Sequence, residues 1–274
     1  MRFDRPIGIV LLLWPTWWAL LIAGDGRPAL KNVLIFTAGV IVMRAAGCVM
    51  NDIADRKFDP HVSRTKNRPL ATGALSLRQA LMTFGILMVV ALLLVLMTNQ
   101  LTVFLAFGGA LLASSYPFFK RFTHLPQVVL GLAFGWGIPM SFSAENGFVA
   151  NVAWALLAIN VVWALIYDTQ YAMIDREDDQ SIGVKSTAIL FGQKDLFALK
   201  LLMVMMLFML VMVGWSLGLS WPWYLAVATS ALLFGWQQWI IRKRDPQSCF
   251  RAFMQNNWIG AVLFLGLLLH YFMI

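Results

Sequence analysis

Charge is what this sequence has least of. Of its 274 residues only 12% are charged and 60% are hydrophobic, a balance found in membrane proteins rather than in water-soluble globules. Cysteine is nearly absent too. Cys48 and Cys249 are the only two, one inside an apolar run and one in a basic loop, which is neither a disulfide framework nor a metal-ligand pattern. Both are expected to be small buried side chains. Acidic residues number 13 against 21 basic ones, for a net charge of +8. Membrane topology and attraction to anionic lipid account for that excess, so no nucleic-acid partner is expected.

What the chain does have is long apolar blocks. A spanning helix needs about 20 mostly apolar residues, since each rises about 1.5 Å through a hydrocarbon core about 30 Å thick. Nine segments approach that length: residues 7–23, 33–50, 80–97, 101–115, 128–142, 149–167, 199–217, 224–241 and 258–273. They predict an all-α integral membrane bundle of nine transmembrane helices in a single domain over residues 1–274. Thr98, Asn99 and Gln100 separate the third and fourth segments and predict a tight turn at the membrane surface. The first segment carries Pro15, three tryptophans and no small-residue cleavage site before Asp25, so it is read as a span and not as a signal peptide.

Orientation follows from Lys and Arg, which concentrate in cytoplasmic loops. With the amino terminus inside, 18 of the 21 basic residues fall on the cytoplasmic side, from Arg2 and Arg5 through the loops at Arg56–Arg78, Lys120–Arg121, Arg176–Lys200 and Arg242–Arg251. Arg27 and Lys31 fall outside and Arg44 lies within a span. The expected arrangement is an inner-membrane, multi-pass protein with a periplasmic carboxyl terminus.

Eight of the 13 acidic residues lie in two short stretches on the basic side: Asp52, Asp55 and Asp59, then Asp168, Asp175, Glu177, Asp178 and Asp179. If the second and sixth helices run on, Asp52, Asp55 and Asp59 share an arc of roughly 60°, and Asp168, Asp175 and Asp179 one of roughly 40°. Glu177 and Asp178 fall off that stripe. Facing carboxylates raise each other's pKa unless a cation sits between them. Mg²⁺ suits such a site, because it takes one or two carboxylates together with waters and substrate phosphate oxygens. The matching partner is a phosphate or diphosphate, for which Arg64, Lys66, Arg68, Lys120, Arg121 and Lys185 supply basic neighbours on the same face.

Arg44 is the other telling residue, since a cation within an apolar span faces a cavity or a partner. It shares a helix face with Asn51 and Asp55 and lies about 10 Å deeper than Asn51. A carboxylate-rimmed cavity with an arginine below fits a prenyl diphosphate above and a small aromatic acid beneath.

These stretches, N-D-I-A-D-R-K-F-D at Asn51–Asp59 and D-R-E-D-D at Asp175–Asp179, resemble the two Asp-rich motifs of the intramembrane prenyltransferases of the UbiA superfamily. The resemblance extends through R-F-D-R-P-I-G at Arg2–Gly8, L-L-W-P-T at Leu12–Thr16, M-R-A-A-G-C at Met43–Cys48 and N-R-P-L at Asn67–Leu70. It continues through Y-P-F-F-K-R at Tyr116–Arg121, Y-D-T-Q-Y-A at Tyr167–Ala172 and G-V-K-S-T-A at Gly183–Ala188. The flanking blocks are similar to the hydroxybenzoate branch of ubiquinone biosynthesis. One departure is the short stretch before the first span, which predicts either that the leader helix of some relatives is missing or that the start of the chain is misassigned.

The resemblance implies transfer of an all-trans polyprenyl group from polyprenyl diphosphate to the 3-position of 4-hydroxybenzoate. It implies Mg²⁺ held by Asn51, Asp52, Asp55 and Asp59 on one side and Asp175 and Asp179 on the other. Arg64, Arg68, Lys120, Arg121 and Lys185 are the expected diphosphate contacts, and Arg44 with Asn51 the expected acceptor site. Asp168 or the released diphosphate would take the ring proton, and Tyr116, Tyr167 and Tyr171 either shield a carbocation or sit in the interfacial belt. The competing class is a membrane transporter, in which intramembrane charges mark an ion path. Against it, the acids cluster near one face and not at the midplane.

Overall fold

The computed structural model describes residues 6–62 and 65–273, and among them there is helix and no strand. The long helices are α1 (Ile7–Ala23), α2 (Leu30–Asp55), α3 (Leu77–Val95), α4 (Gln100–Phe119), the consecutive α5 (Pro126–Gly135) and α6 (Gly137–Asn146), and α7 (Asn151–Ala172). After two short helices, α8 (Arg176–Ser181) and α9 (Thr187–Phe191), come α10 (Asp195–Ser216), α11 (Trp221–Ile240) and α12 (Pro246–Phe272). Seven stretches are long and apolar enough to cross a membrane: α2, α3, α4, α5 with α6, α7, α9 through α10, and α12. The 17-residue α1 and the 20-residue α11 complete the bundle.

Helix ends follow local chemistry. Ser76 and Gln79 form a reciprocal capping box at the start of α3, and the Asn99 side chain accepts from the Thr102 N–H at 2.9 Å to start α4 after the expected tight turn. The last helix begins twelve residues earlier than its apolar run implies. Asp245 accepts from the Ser248 N–H at 2.9 Å and Pro246 takes the first helical position, where its missing N–H costs nothing. Cys249, expected in a loop, is therefore inside α12 and fully buried.

The fifth apolar segment breaks at Trp136, between two glycines that allow close approach. A Cβ on Gly135 would press on the Asn160 side chain of α7, and one on Gly137 would press on Thr16 of α1. The Trp136 indole N–H donates to the Leu105 carbonyl of α4 at 2.8 Å and fixes the jog.

The densest packing surrounds α7, which touches α5, α6, α10 and α12. Trp163 stacks on Trp18 of α1 with centroids 5.3 Å apart, and its indole donates to Asn256 of α12 at 3.0 Å. Asn256 donates to Gln170 at 2.8 Å, and Gln170 to Gln237 of α11 at 2.9 Å. Such intramembrane bonds average only about 0.6 kcal/mol each, so close aromatic packing carries more of the stability and the bonds satisfy polar groups that lipid could not.

Candidate active site

The carboxylates gather where α2, α4 and α7 end, around a cavity of about 1650 Å³ whose wall includes Asn51, Asp52 and Asp55 on one side and Asp168, Asp175 and Asp179 on the other. The two acidic stretches thus share one chamber. Neither runs as a continuous helix. Pro60 cannot donate to the carbonyl of Arg56 and its ring would clash there, and α2 stops at Asp55, leaving Asp59 to open a separate 3₁₀ turn. Asp59 is buried, lies outside the cavity wall and accepts from Arg68 at 2.9 Å through both oxygens. In the second stretch α7 ends at Ala172, and α8 starts after Asp175 with Glu177, Asp178 and Asp179 in its first turn, where carboxylates complement the helix dipole.

Basic residues meet the first stretch directly. Arg68 bridges Asp59 at 2.9 Å and Asp52 at 3.3 Å, and Lys120 Nζ lies 2.6 Å from Asp55 Oδ2. Burial pushes the Asp59 carboxyl above its ordinary range while Arg68 pulls it down. A raised carboxyl pKa means stability present at low pH and lost as pH climbs through the folded value, a loss that the Arg68 contact reduces. Lys185 is on the cavity wall, its ammonium donating to the Phe122 carbonyl at 3.2 Å. Arg121 stands apart from the chamber: it donates to the Ala54 carbonyl at 2.5 Å and lies between the rings of Phe58 and Phe118, 5.4 and 5.2 Å from their centroids. Arg64 lies outside the described residues.

Arg44 is at the floor. Its Nη1 donates to Cys48 Sγ at 2.6 Å, its guanidinium lies 6.0 Å from the Phe134 centroid, and its Nε is buried with no hydrogen-bond partner. Gly8 makes this possible, since any Cβ there would overlap the guanidinium. Asn51 donates to the Tyr116 hydroxyl, so one side chain fixes another across α2 and α4. Tyr116, Tyr167 and Tyr171 all line the cavity, and Tyr116 and Tyr167 are buried within the bundle, which removes them from any interfacial belt. The Tyr167 hydroxyl, like Arg44 Nε, is buried without a partner.

From Arg44, Tyr116 and Phe134 a second cavity, of about 410 Å³, leads along α2, α3 and α4 past Gly39, Val40, Leu92 and Phe107. Its wall is almost wholly apolar, and Leu92 and Phe107 are exposed on the outside of the bundle.

Among the described residues no three Asp, Glu, His or Cys side chains are already gathered as a closed cation cage. The donors nevertheless suit a hard divalent ion, because Asp55 Oδ1 is a buried carboxylate oxygen with no partner and Mg²⁺ completes its shell with water and phosphate oxygens.

A lipid-embedded helical bundle with one polar, carboxylate-walled chamber that continues into an apolar groove has the makings of an enzyme acting on an amphiphile with an anionic head. The UbiA prenyltransferase family model matches residues 12–268, and the chain belongs to that family. It is 56% identical over 271 residues to the 4-hydroxybenzoate octaprenyltransferase of Nitrosococcus oceani, covering 99% of this chain and 95% of that one. Its fold is shared with a UbiA homolog from Aeropyrum pernix (TM-score 0.86, 23% identity, 98% of each chain). It is shared also with a UbiA homolog from Archaeoglobus fulgidus bound to GPP and Mg²⁺ (TM-score 0.77, 17% identity, 100% of this chain and 99% of that one).

Sequence reasoning missed one pair of residues in this neighbourhood. Arg176 entered only as topological charge and as a letter of the second motif, with no role of its own, and Asp195 not at all, although a lone carboxylate at the head of an apolar helix was a visible signal.

Proposed function

We infer that the protein transfers a polyprenyl group from polyprenyl diphosphate to the 3-position of 4-hydroxybenzoate, releasing diphosphate, in ubiquinone biosynthesis. The single observation that carries this reading is the chamber itself, which sets two acidic stretches over an arginine whose Nε is buried and unsatisfied. The similarity to 4-hydroxybenzoate octaprenyltransferases over nearly the whole chain supports the acceptor. The seven apolar spans support a membrane enzyme. Taking α1 and α11 as spans as well gives nine, in one domain over residues 1–274. The excess of Lys and Arg on the side of the chamber supports an active site facing the cytoplasm of the inner membrane and a periplasmic carboxyl terminus.

In this reading Asn51, Asp52 and Asp55 on one wall and Asp175 and Asp179 on the other would hold Mg²⁺ against the donor diphosphate. The bound ion supplies charge neutralisation of the leaving group. Lys120, Lys185 and Arg68 hold phosphate oxygens, Arg68 being oriented by Asp59, while Arg121 braces the end of α2 beneath them. As the C–O bond of the donor breaks, diphosphate leaves with the electron pair and an allylic cation remains. Tyr116, Tyr167 and Tyr171 present ring surfaces to it. Arg44 binds the acceptor carboxylate, so the carbon ortho to the phenol hydroxyl attacks the cation, and the ring proton leaves to Asp168 or to diphosphate. The apolar groove along α2, α3 and α4 takes the isoprenoid tail, and a dry chamber keeps water from quenching the cation.

An acceptor series tests the reading: 4-hydroxybenzoate is expected to be prenylated and its uncharged amide to be turned over at least tenfold less efficiently, since a charge-assisted contact is worth about 1.5–3 kcal/mol. Equal turnover of the two would remove Arg44 from acceptor binding. The transporter reading predicts cation flux in proteoliposomes without any prenylated product.

A further inference from the structure

We propose that Asp195 is a positioning residue that holds Arg176 out of the diphosphate chamber and thereby keeps the second acidic stretch set for a divalent cation. The proposal rests on reading Asp175 and Asp179 as the second wall of the donor site. Arg176 lies between them in sequence, and an arginine inside an acidic motif that faces a diphosphate would ordinarily be taken for a phosphate ligand. The structure points it elsewhere. Asp175 and Asp179 line the chamber and Arg176 does not. Its guanidinium instead donates to Asp195, a carboxylate with no exposed surface at the head of α10.

Asp195 is built to keep that hold. Arg244, from the turn between α11 and α12, approaches it from the other side: Nε lies 3.0 and 3.1 Å from its two oxygens and Nη2 lies 2.8 Å from one of them. The Leu196 N–H donates to the same carboxylate at 2.7 Å. Arg244 also donates to the Gln193 carbonyl at 2.9 Å. Its backbone is in the left-handed region at φ 57°, where a non-glycine residue stays only when its surroundings hold it. One buried carboxylate therefore fastens α8, the head of α10 and the turn before α12, and α8 carries Asp179.

The physical consequence is a choice of counterion. A released Arg176 guanidinium would be within a side chain's reach of Asp175 and Asp179 and would compete with a divalent cation for their oxygens. With Asp195 holding it, the Arg176 guanidinium stays out of that competition.

The test compares the full-length protein in detergent with Asp195→Asn, Arg244→Gln and the double variant Asp195→Asn/Arg176→Gln, using geranyl diphosphate, 4-hydroxybenzoate and a Mg²⁺ titration. Asp195→Asn is expected to raise the Mg²⁺ concentration for half-maximal rate about tenfold and the KM for geranyl diphosphate with it, leaving the KM for 4-hydroxybenzoate unchanged. Arg244→Gln is expected to do the same to a smaller extent. Removing the competing cation in the double variant is expected to restore the Mg²⁺ curve to within about twofold of the parent. A purely structural carboxylate would lower the Tm and the active fraction with the same Mg²⁺ curve, and the double variant would be no better than the single; either result overturns the proposal. If Asp195→Asn does not fold, Arg244→Gln decides by the same Mg²⁺ shift. Absence of Mg²⁺-dependent product from the parent protein would instead overturn the prenyltransferase reading on which this one stands.

Discussion

Two helices of similar length and apolarity meet opposite fates. In α7, 12 of 22 residues are buried, whereas in α3 only Ala80 and Val95 are, out of 19. The first is enclosed by α5, α6, α10 and α12, with Trp163 wedged between Trp18 and Asn256. The second leans on α2, barely meets α4 and lines an apolar groove. A bundle that packed both halves equally well would have no room for a long isoprenoid, and one that was loose throughout could not hold two acidic stretches in register. The difference teaches that rigidity sits behind the second acidic stretch, and adaptability beside the first.

That comparison can be broken at several points. Removing the chemistry should leave both halves standing: Asp55→Ala or Asp179→Ala is expected to lower kcat/KM on the order of 10²–10³-fold with the Tm held within a few degrees, as read from product formation beside thermal unfolding. Next comes the rigid half. Trp163→Ala deletes a buried ring and the Asn256 contact and should cost about 3 kcal/mol, while Leu92→Ala in α3, half-exposed on the groove, should cost well under about 1 kcal/mol; equal losses in unfolding titrations would erase the contrast. Arg44→Ala should raise the KM for 4-hydroxybenzoate on the order of tenfold or more and leave that for the donor nearly unchanged.

The adaptable half gives smaller effects. A Cβ on Gly39 meets nothing within 4 Å and faces the groove, so Gly39→Phe should fold normally and lower kcat/KM for a long-chain donor relative to geranyl diphosphate by about tenfold. The smallest effect belongs to Asp245. Hydrogen bonds from Ser248 hold its carboxyl below the usual 3.8, so its contribution is present above that value and lost as pH falls through the lower folded one. Asp245→Ala should lower the Tm slightly at pH 7, and the difference should shrink as the pH drops below about 3.8.

Most of the bundle was legible because lipid imposes a simple length rule, and the apolar runs coincide with the helices to within a few residues except at α12. There Asp245 and Pro246 gave a start signal that hydropathy alone ignores. The acidic stretches were legible as two clusters on one side, but their exact geometry was not. Pro60 argues against a helix through Asp59, and the carboxylates of residues 177–179 favour a new helix start over a continued one. Arg44 was visible as a charge in an apolar run; its dependence on Gly8 was not, because the two meet only through packing of α1 on α2. Arg121 reads as one more basic residue in sequence, and only the structure brings it to the Ala54 carbonyl. The apolar groove had no sequence signal, since lipid-facing and groove-facing leucines look the same.

In the proposed reaction the chamber ionises a prenyl diphosphate with the help of a divalent cation and delivers the allylic carbocation to an aromatic acid. Incubating the purified protein with geranyl diphosphate, 4-hydroxybenzoate and Mg²⁺, with and without EDTA, and identifying products by mass spectrometry tests it most directly. The expected product is 3-geranyl-4-hydroxybenzoate, which disappears with EDTA and returns with excess Mg²⁺. Diphosphate and geraniol without a coupled product, or coupling indifferent to EDTA, would contradict it.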